Sequence, residues 1–138
     1  MRKVAFVLLV FCAVLFAARF ARSNPTLTSP QIVASVVLTD QTVAIDATPL
    51  LTSSTGGLYR LTAYAEFAPQ CDNTWYPEFK WIDGTGQTKR GLYGIGSCLT
   101  SGQVIARIPL GGTIFYSVQR TNQQNDSYNA YITAEQLQ

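Results

Sequence analysis

Residues 56 to 67, GGLYRLTAYAEF, alternate between two kinds of side chain almost without exception. Tyr59, Leu61, Ala63, Ala65 and Phe67 fall on one parity, and Arg60, Thr62, Tyr64 and Glu66 fall on the other. A period of two belongs to a strand with one face in a core and the other open to water or to a neighbour. The Tyr59 parity is needed inside, so Arg60, Thr62, Tyr64 and Glu66 face outward.

Strand-like runs of this kind recur along the chain, divided by clusters of Gly, Pro, Asn, Asp and Ser, and no stretch holds a helical period. They fall at 32–38, 41–46, 58–67, 76–83, 87–93, 103–110, 113–120 and 127–137. Asp83-Gly84 has the chemistry of a hairpin turn with positive φ, and Pro109 with Gly111-Gly112 makes a turn before Thr113. Along these strands the inward parity includes Tyr59, Leu61, Phe67, Phe79, Trp81, Val104, Ile108, Ile114, Tyr116, Val118, Tyr128 and Ile132. That set is large enough for a core. The fold class is all-β, an antiparallel two-sheet sandwich of about eight strands, jelly-roll-like. The nearest alternative is an immunoglobulin-like sandwich, which would link two mid-strand cysteines across the core with a Trp between them. Trp81 does lie between Cys71 and Cys98, but both cysteines follow Pro or Gly and read as loop positions.

The first 23 residues stand apart from this pattern. Met1-Arg2-Lys3 is a short cationic start, and Val4 to Ala18 is an uninterrupted apolar run. At about fifteen residues the run is shorter than the roughly 20 needed to span a bilayer, so it reads as a secretory signal peptide, with Ala21 and Ser23 spaced for a cut before Asn24 and Ala18 as another candidate end. The expected organisation is a leader over 1–23, an extended arm over 24–31 and one sandwich domain over 32–138, secreted or periplasmic. The whole chain carries a formal charge of +2. Losing Arg2, Lys3, Arg19 and Arg22 leaves six cations against eight acids, a net −2. Nucleic acid is excluded as a partner, because binding phosphate needs clustered cations.

Cys71 and Cys98 remain after the leader, and in an exported chain such a pair reads as a disulfide. The chain has no histidine. That removes the commonest general base, the Ser-His-Asp and Cys-His arrangements and the usual zinc ligand. No cofactor or metal is expected, and the reading is non-enzymatic. A carboxylate-dependent glycoside-active enzyme would need two acids about 5 to 10 Å apart, for which Glu66 and Glu78 are the candidates.

Binding is the other use such a surface supports. Aromatic residues make up 12% of the chain, and Trp75, Tyr76 and Tyr93 cluster in sequence around the cysteines. Exposed rings beside polar groups hold sugars or partner chains, which makes a carbohydrate-binding module the second reading. The competing assignment puts Phe79 and Trp81 in the core, with Trp75 shielding the Cys71 loop. Tyr64 and Tyr131 are outward on the strand parity, where tyrosine serves subunit interfaces as readily as plain surface. The candidate binding or assembly surface is therefore Arg60, Tyr64, Glu66, Trp75, Tyr76, Tyr93 and Tyr131. Asn125-Asp126-Ser127 matches a glycosylation acceptor.

GLYRLTAYAEF, GGTIFYSVQ and the closing YNAYITAEQL together resemble the jelly-roll-like modules of uncharacterised bacterial secreted proteins and of some phage structural proteins. The resemblance covers much of residues 50 to 138 and implies a structural or adhesive module, with no site residues to carry across. A leader and a private cysteine pair depart from that pattern, which favours an exported cellular protein. The expected partners are further copies of the chain or a surface glycan or protein ligand, with no membrane insertion once the leader is removed.

Overall fold

The computed structural model of the chain describes residues 29–68, 75–92, 99–120 and 127–138. They form eight strands: β1 (Gln31–Gln41), β2 (Ile45–Thr52), β3 (Gly57–Ala68), β4 (Trp75–Ile82), β5 (Thr88–Leu92), β6 (Leu99–Ile108), β7 (Thr113–Arg120) and β8 (Ser127–Gln136). One sheet has the order β1-β8-β3-β6 and the other β2-β7-β4-β5, with every neighbouring pair antiparallel. Apart from the β4–β5 hairpin, each successive strand crosses to the opposite sheet. This crossing pattern is that of a jelly roll, and it separates the fold from the immunoglobulin-like alternative.

The parity of each strand decides what lies between the sheets. Tyr59, Leu61, Ala63 and Ala65 of β3 are buried, as are Tyr128, Ala130, Ile132 and Ala134 of β8. Facing them are Trp75, Phe79 and Trp81 of β4 and Ile114, Tyr116 and Val118 of β7. One inner face is rich in alanine and the other in large rings. Small and large surfaces of this kind can interlock at the spacing of about 10 Å usual for stacked sheets. Val104, read as inward, is only partly buried because β6 is an edge strand.

Two prolines occupy strands where the ladder tolerates them. Pro49 lies on the edge strand β2 beside a register shift, and Pro77 sits one residue beyond the last pair that β4 makes with β5. The second strand was expected at 41–46, but β2 runs Ile45–Thr52. Gln41 instead ends β1 after a bulge at Asp40, whose φ is 52° and whose N–H donates to Asn129 Oδ1 at 2.8 Å, and the chain turns over 42–44. The turn is then held where the Tyr128 hydroxyl donates to the Val43 carbonyl at 3.1 Å.

The β4–β5 hairpin falls where Asp83-Gly84 placed it, but the positive φ belongs to Gly86, at 80°, and not to Gly84. Gly86 N–H donates to the Asp83 carbonyl at 3.0 Å and Asp83 N–H to that of Gln87 at 2.9 Å, a three-residue loop with its last glycine left-handed. The turn at Pro109 to Gly112 is as expected, with Gly111 at φ 75° and Gly112 N–H donating to Pro109 O at 2.9 Å. Buried Ser53 ties this turn to the one before β3. Its backbone pairs with Gly111 and Gly112, both at 2.8 Å, while its hydroxyl lies 2.7 Å from the Tyr59 hydroxyl and accepts Gly56 N–H at 2.8 Å. The expected leader, most of the arm and the glycosylation acceptor Asn125 lie outside the described residues, as does the connector at 121–126.

Candidate functional site

The outer face of the β1-β8-β3-β6 sheet is built as a series of cross-strand rows. Val37, Tyr131, Tyr64 and Ser101 make one row, and Ser35, Thr133, Thr62 and Gln103 make the next. A third row runs from Ile32 through Glu135 and Arg60 to Ile105. Register thus delivers four of the predicted residues, Arg60, Tyr64, Glu66 and Tyr131, to one surface.

Within it Arg60, Glu135 and the two tyrosines are paired. Arg60 Nη1 donates to Glu135 Oε2 at 2.8 Å, a half-exposed pair that contributes little stability, about 0–1 kcal/mol, but cancels both charges. The rings of Tyr64 and Tyr131 meet at 5.6 Å between centroids with their planes tilted by 59°, a cross-strand contact that stiffens the sheet. Among exposed Ser35, Glu66, Ser101, Gln103 and Arg107 stands a group of open apolar side chains. Ile32 is 68% exposed, Val37 61% and Ile105 49%, and Val33 and Tyr131 are exposed on the same face. Ile32 and Val33 both reach this side because a register shift between Ile32 and Ala34 places two residues of β1 against one of β8.

The sequence reading missed Ile32, Val33, Val37 and Ile105. A signal was present: IVASVVL is apolar on both parities, although only one face of a sandwich strand is covered by its own core.

The other predicted residues do not join this face. Trp75, read as a candidate exposed aromatic, is buried, with 1% exposure. It stacks on Tyr128 at 4.6 Å and lies under the Arg120 guanidinium at 4.8 Å. Its even spacing with Pro77, Phe79 and Trp81 along β4 turns all four inward. Tyr76, paired with Gln119, is half-buried on the outside of the opposite sheet. Tyr93, Cys71 and Cys98 lie outside the described residues. Glu66 and Glu78 project from the outer faces of different sheets and cannot flank one bond, and Glu78 instead pairs with Arg90 at 3.4 Å. Among the described residues no group of three His, Cys, Asp or Glu could hold a metal.

One further concavity lies on the opposite sheet, an open cavity of about 580 Å³ lined by Lys80, Ile82, Leu110, Thr113 and Phe115 beside the Pro109 turn. Lys80 sits next to Arg90 across the strands, and Arg90 in turn pairs with Glu78.

No family model and no curated protein matches the sequence. Among solved structures, the chain is similar to the globular domain of zebrafish complement 1qA protein, with a TM-score of 0.54 and 11% identity over 80% of this chain and 98% of that one. It is also similar to the infectious bursal disease virus VP2 subviral particle, with a TM-score of 0.50 and 8% identity over 78% of this chain and 33% of the viral chain. A family 16 carbohydrate-binding module overlaps with a TM-score of 0.42 and 17% identity, over 72% of this chain and 69% of the module. At these identities the first two likenesses establish the sandwich fold that the strand order describes.

Proposed function

We propose that this chain is an exported, non-enzymatic jelly-roll module that acts by assembling with further copies of itself through the β1-β8-β3-β6 sheet. One observation carries the reading. Of the eight large hydrophobic residues exposed among the described residues, five, Ile32, Val33, Val37, Ile105 and Tyr131, lie on that sheet's outer face, while Val43, Ile82 and Leu110 lie elsewhere. Apolar side chains gathered on one face, around a neutralised ion pair, are what a protein contact covers and what a lone soluble domain avoids. The export signal read in Val4 to Ala18 and the missing histidine support the extracellular and non-catalytic parts of the proposal.

Light scattering across a concentration series tests it. The wild-type chain is expected to gain mass with concentration, and a Val37→Lys/Ile105→Lys variant is expected to stay monomeric with a circular dichroism spectrum like wild type. A wild-type monomer at every concentration would overturn the proposal.

A further inference from the structure

The two sheets end in different ways. In the β2-β7-β4-β5 sheet, edge strand β2 carries Pro49 and two register shifts, and edge strand β5 is five residues long and contains Lys89, Arg90 and Gly91. Proline, bulges, short length and exposed cations all discourage another strand from adding. In the β1-β8-β3-β6 sheet the protection is weaker on β6, which pairs with β3 over ten consecutive positions with no bulge and contains neither proline nor lysine, its one cation being the exposed Arg107 near its end. The sheet's other edge, β1, is eleven residues long and has Asp40 as its one ionisable side chain; register shifts fall between Ile32 and Ala34 and between Leu38 and Gln41, but from Ala34 to Leu38 its register is unbroken. Alternate residues of β1 and β6 aim their backbone N–H and C=O groups away from the sheet, and among the described residues no strand pairs with either outer edge.

The two open edges also fit one another. β1 is antiparallel to β8, β8 to β3 and β3 to β6, so β1 and β6 run in opposite directions. A second copy in the same orientation therefore presents its β1 antiparallel to the first copy's β6 and continues the alternation. Without stagger, the rows of the sheet carry straight across the junction. Ser35 of one copy then stands opposite Gln103 of the next, and Ile32 and Val33 stand beside Ile105. The exposed apolar residues of one edge strand cover those of the other.

We infer that copies of this chain join by strand addition, β1 of one copy against β6 of the next. This rests on the assembly reading above and specifies its geometry. Because the two edges differ, the contact is heterologous and repeats from copy to copy, producing a ring if the rotation closes and a filament if it does not.

Disulfide trapping tests the junction in the full-length chain produced in an exporting host. Directly opposed cross-strand positions have Cβ atoms about 4.5–5.5 Å apart, close to what a disulfide spans. Within one copy, Ser35 and Gln103 are separated by three strand spacings, about 14 Å, and cannot bridge. A Ser35→Cys/Gln103→Cys variant, mildly oxidised, is expected to run on a non-reducing gel as a ladder of dimer, trimer and higher species that collapses on reduction. Each single variant and the wild type set the background, and none should exceed it. A second pair one row on, Val37→Cys/Ser101→Cys, is expected to give the same ladder. Mass growth in light scattering with no ladder from either pair, or ladders equal to those of the single variants, would overturn strand addition while leaving assembly intact. A monomer throughout would overturn both.

Discussion

Trp75 shows how little a side chain's identity says about its place. As a ring near Cys71 in sequence, it invites a sugar-binding role, yet its inward parity on β4 puts it beneath Arg120 and against Tyr128. Trp75→Ala is accordingly expected to destabilise the fold by about 3–5 kcal/mol, read as a lower midpoint in denaturant at an unchanged slope. Tyr64 and Tyr131 are the opposite case. Their outward direction was legible from the alternation of GLYRLTAYAEF and YNAYITAEQL, but their contact with each other depends on the register that pairs β3 with β8. Arg60 and Glu135 likewise meet only because that register makes them cross-strand neighbours, 75 residues apart in the chain.

At the scale of elements, strands announced by alternation or by turn residues were legible and the one without either was not. β3, β4, β7 and β8 fall within a residue or two of where the pattern placed them. β2 was placed too early, at 41–46, and its later half carries Pro49, a residue tolerated at a sheet edge. The β4–β5 hairpin was recognised, although its internal chemistry came from the fold. The Thr85 hydroxyl donates to Asp83 Oδ1 at 2.6 Å, the N–H groups of Thr85 and Gln87 donate to the same oxygen at 2.9 and 3.1 Å, and Lys89 lies 3.5 Å from Oδ2. Against a smaller desolvation effect, these groups, the Thr85 hydroxyl foremost, hold the Asp83 carboxyl down to about 2. Its folded pKa is therefore below the ordinary carboxylate value. The hairpin's stabilisation from this group is present above about pH 4 and is lost as the pH falls through about 2. Thr85→Ala is expected to move the Asp83 titration, followed by NMR, back up toward the ordinary range; no movement would mean that the backbone donors and Lys89 suffice.

For the whole molecule, pH acts from the other end of the scale. Burial, with a smaller contribution from Tyr116, pushes the Tyr128 hydroxyl up to about 12. A phenol raised in the folded state contributes stability that is complete below pH 10 and is lost as the pH rises from 10 through 12. Melting temperature is expected to fall steeply across that window in the wild type and less steeply in Tyr128→Phe, which keeps the ring against Trp75. Equal slopes would remove Tyr128 as the cause. The sequence by itself determined that this chain is a stack of short strands with a core on one parity, because side-chain alternation and turn chemistry act over a few residues. Tertiary structure alone decided which strands are edges, and it therefore also decided that β6 and the Ala34 to Leu38 stretch of β1 lie along open edges. It decided as well that Glu66 and Glu78 stand on opposite sides of the sandwich. Strand order depends on contacts between residues far apart in the chain, and a period of two carries no record of which neighbour a strand will find.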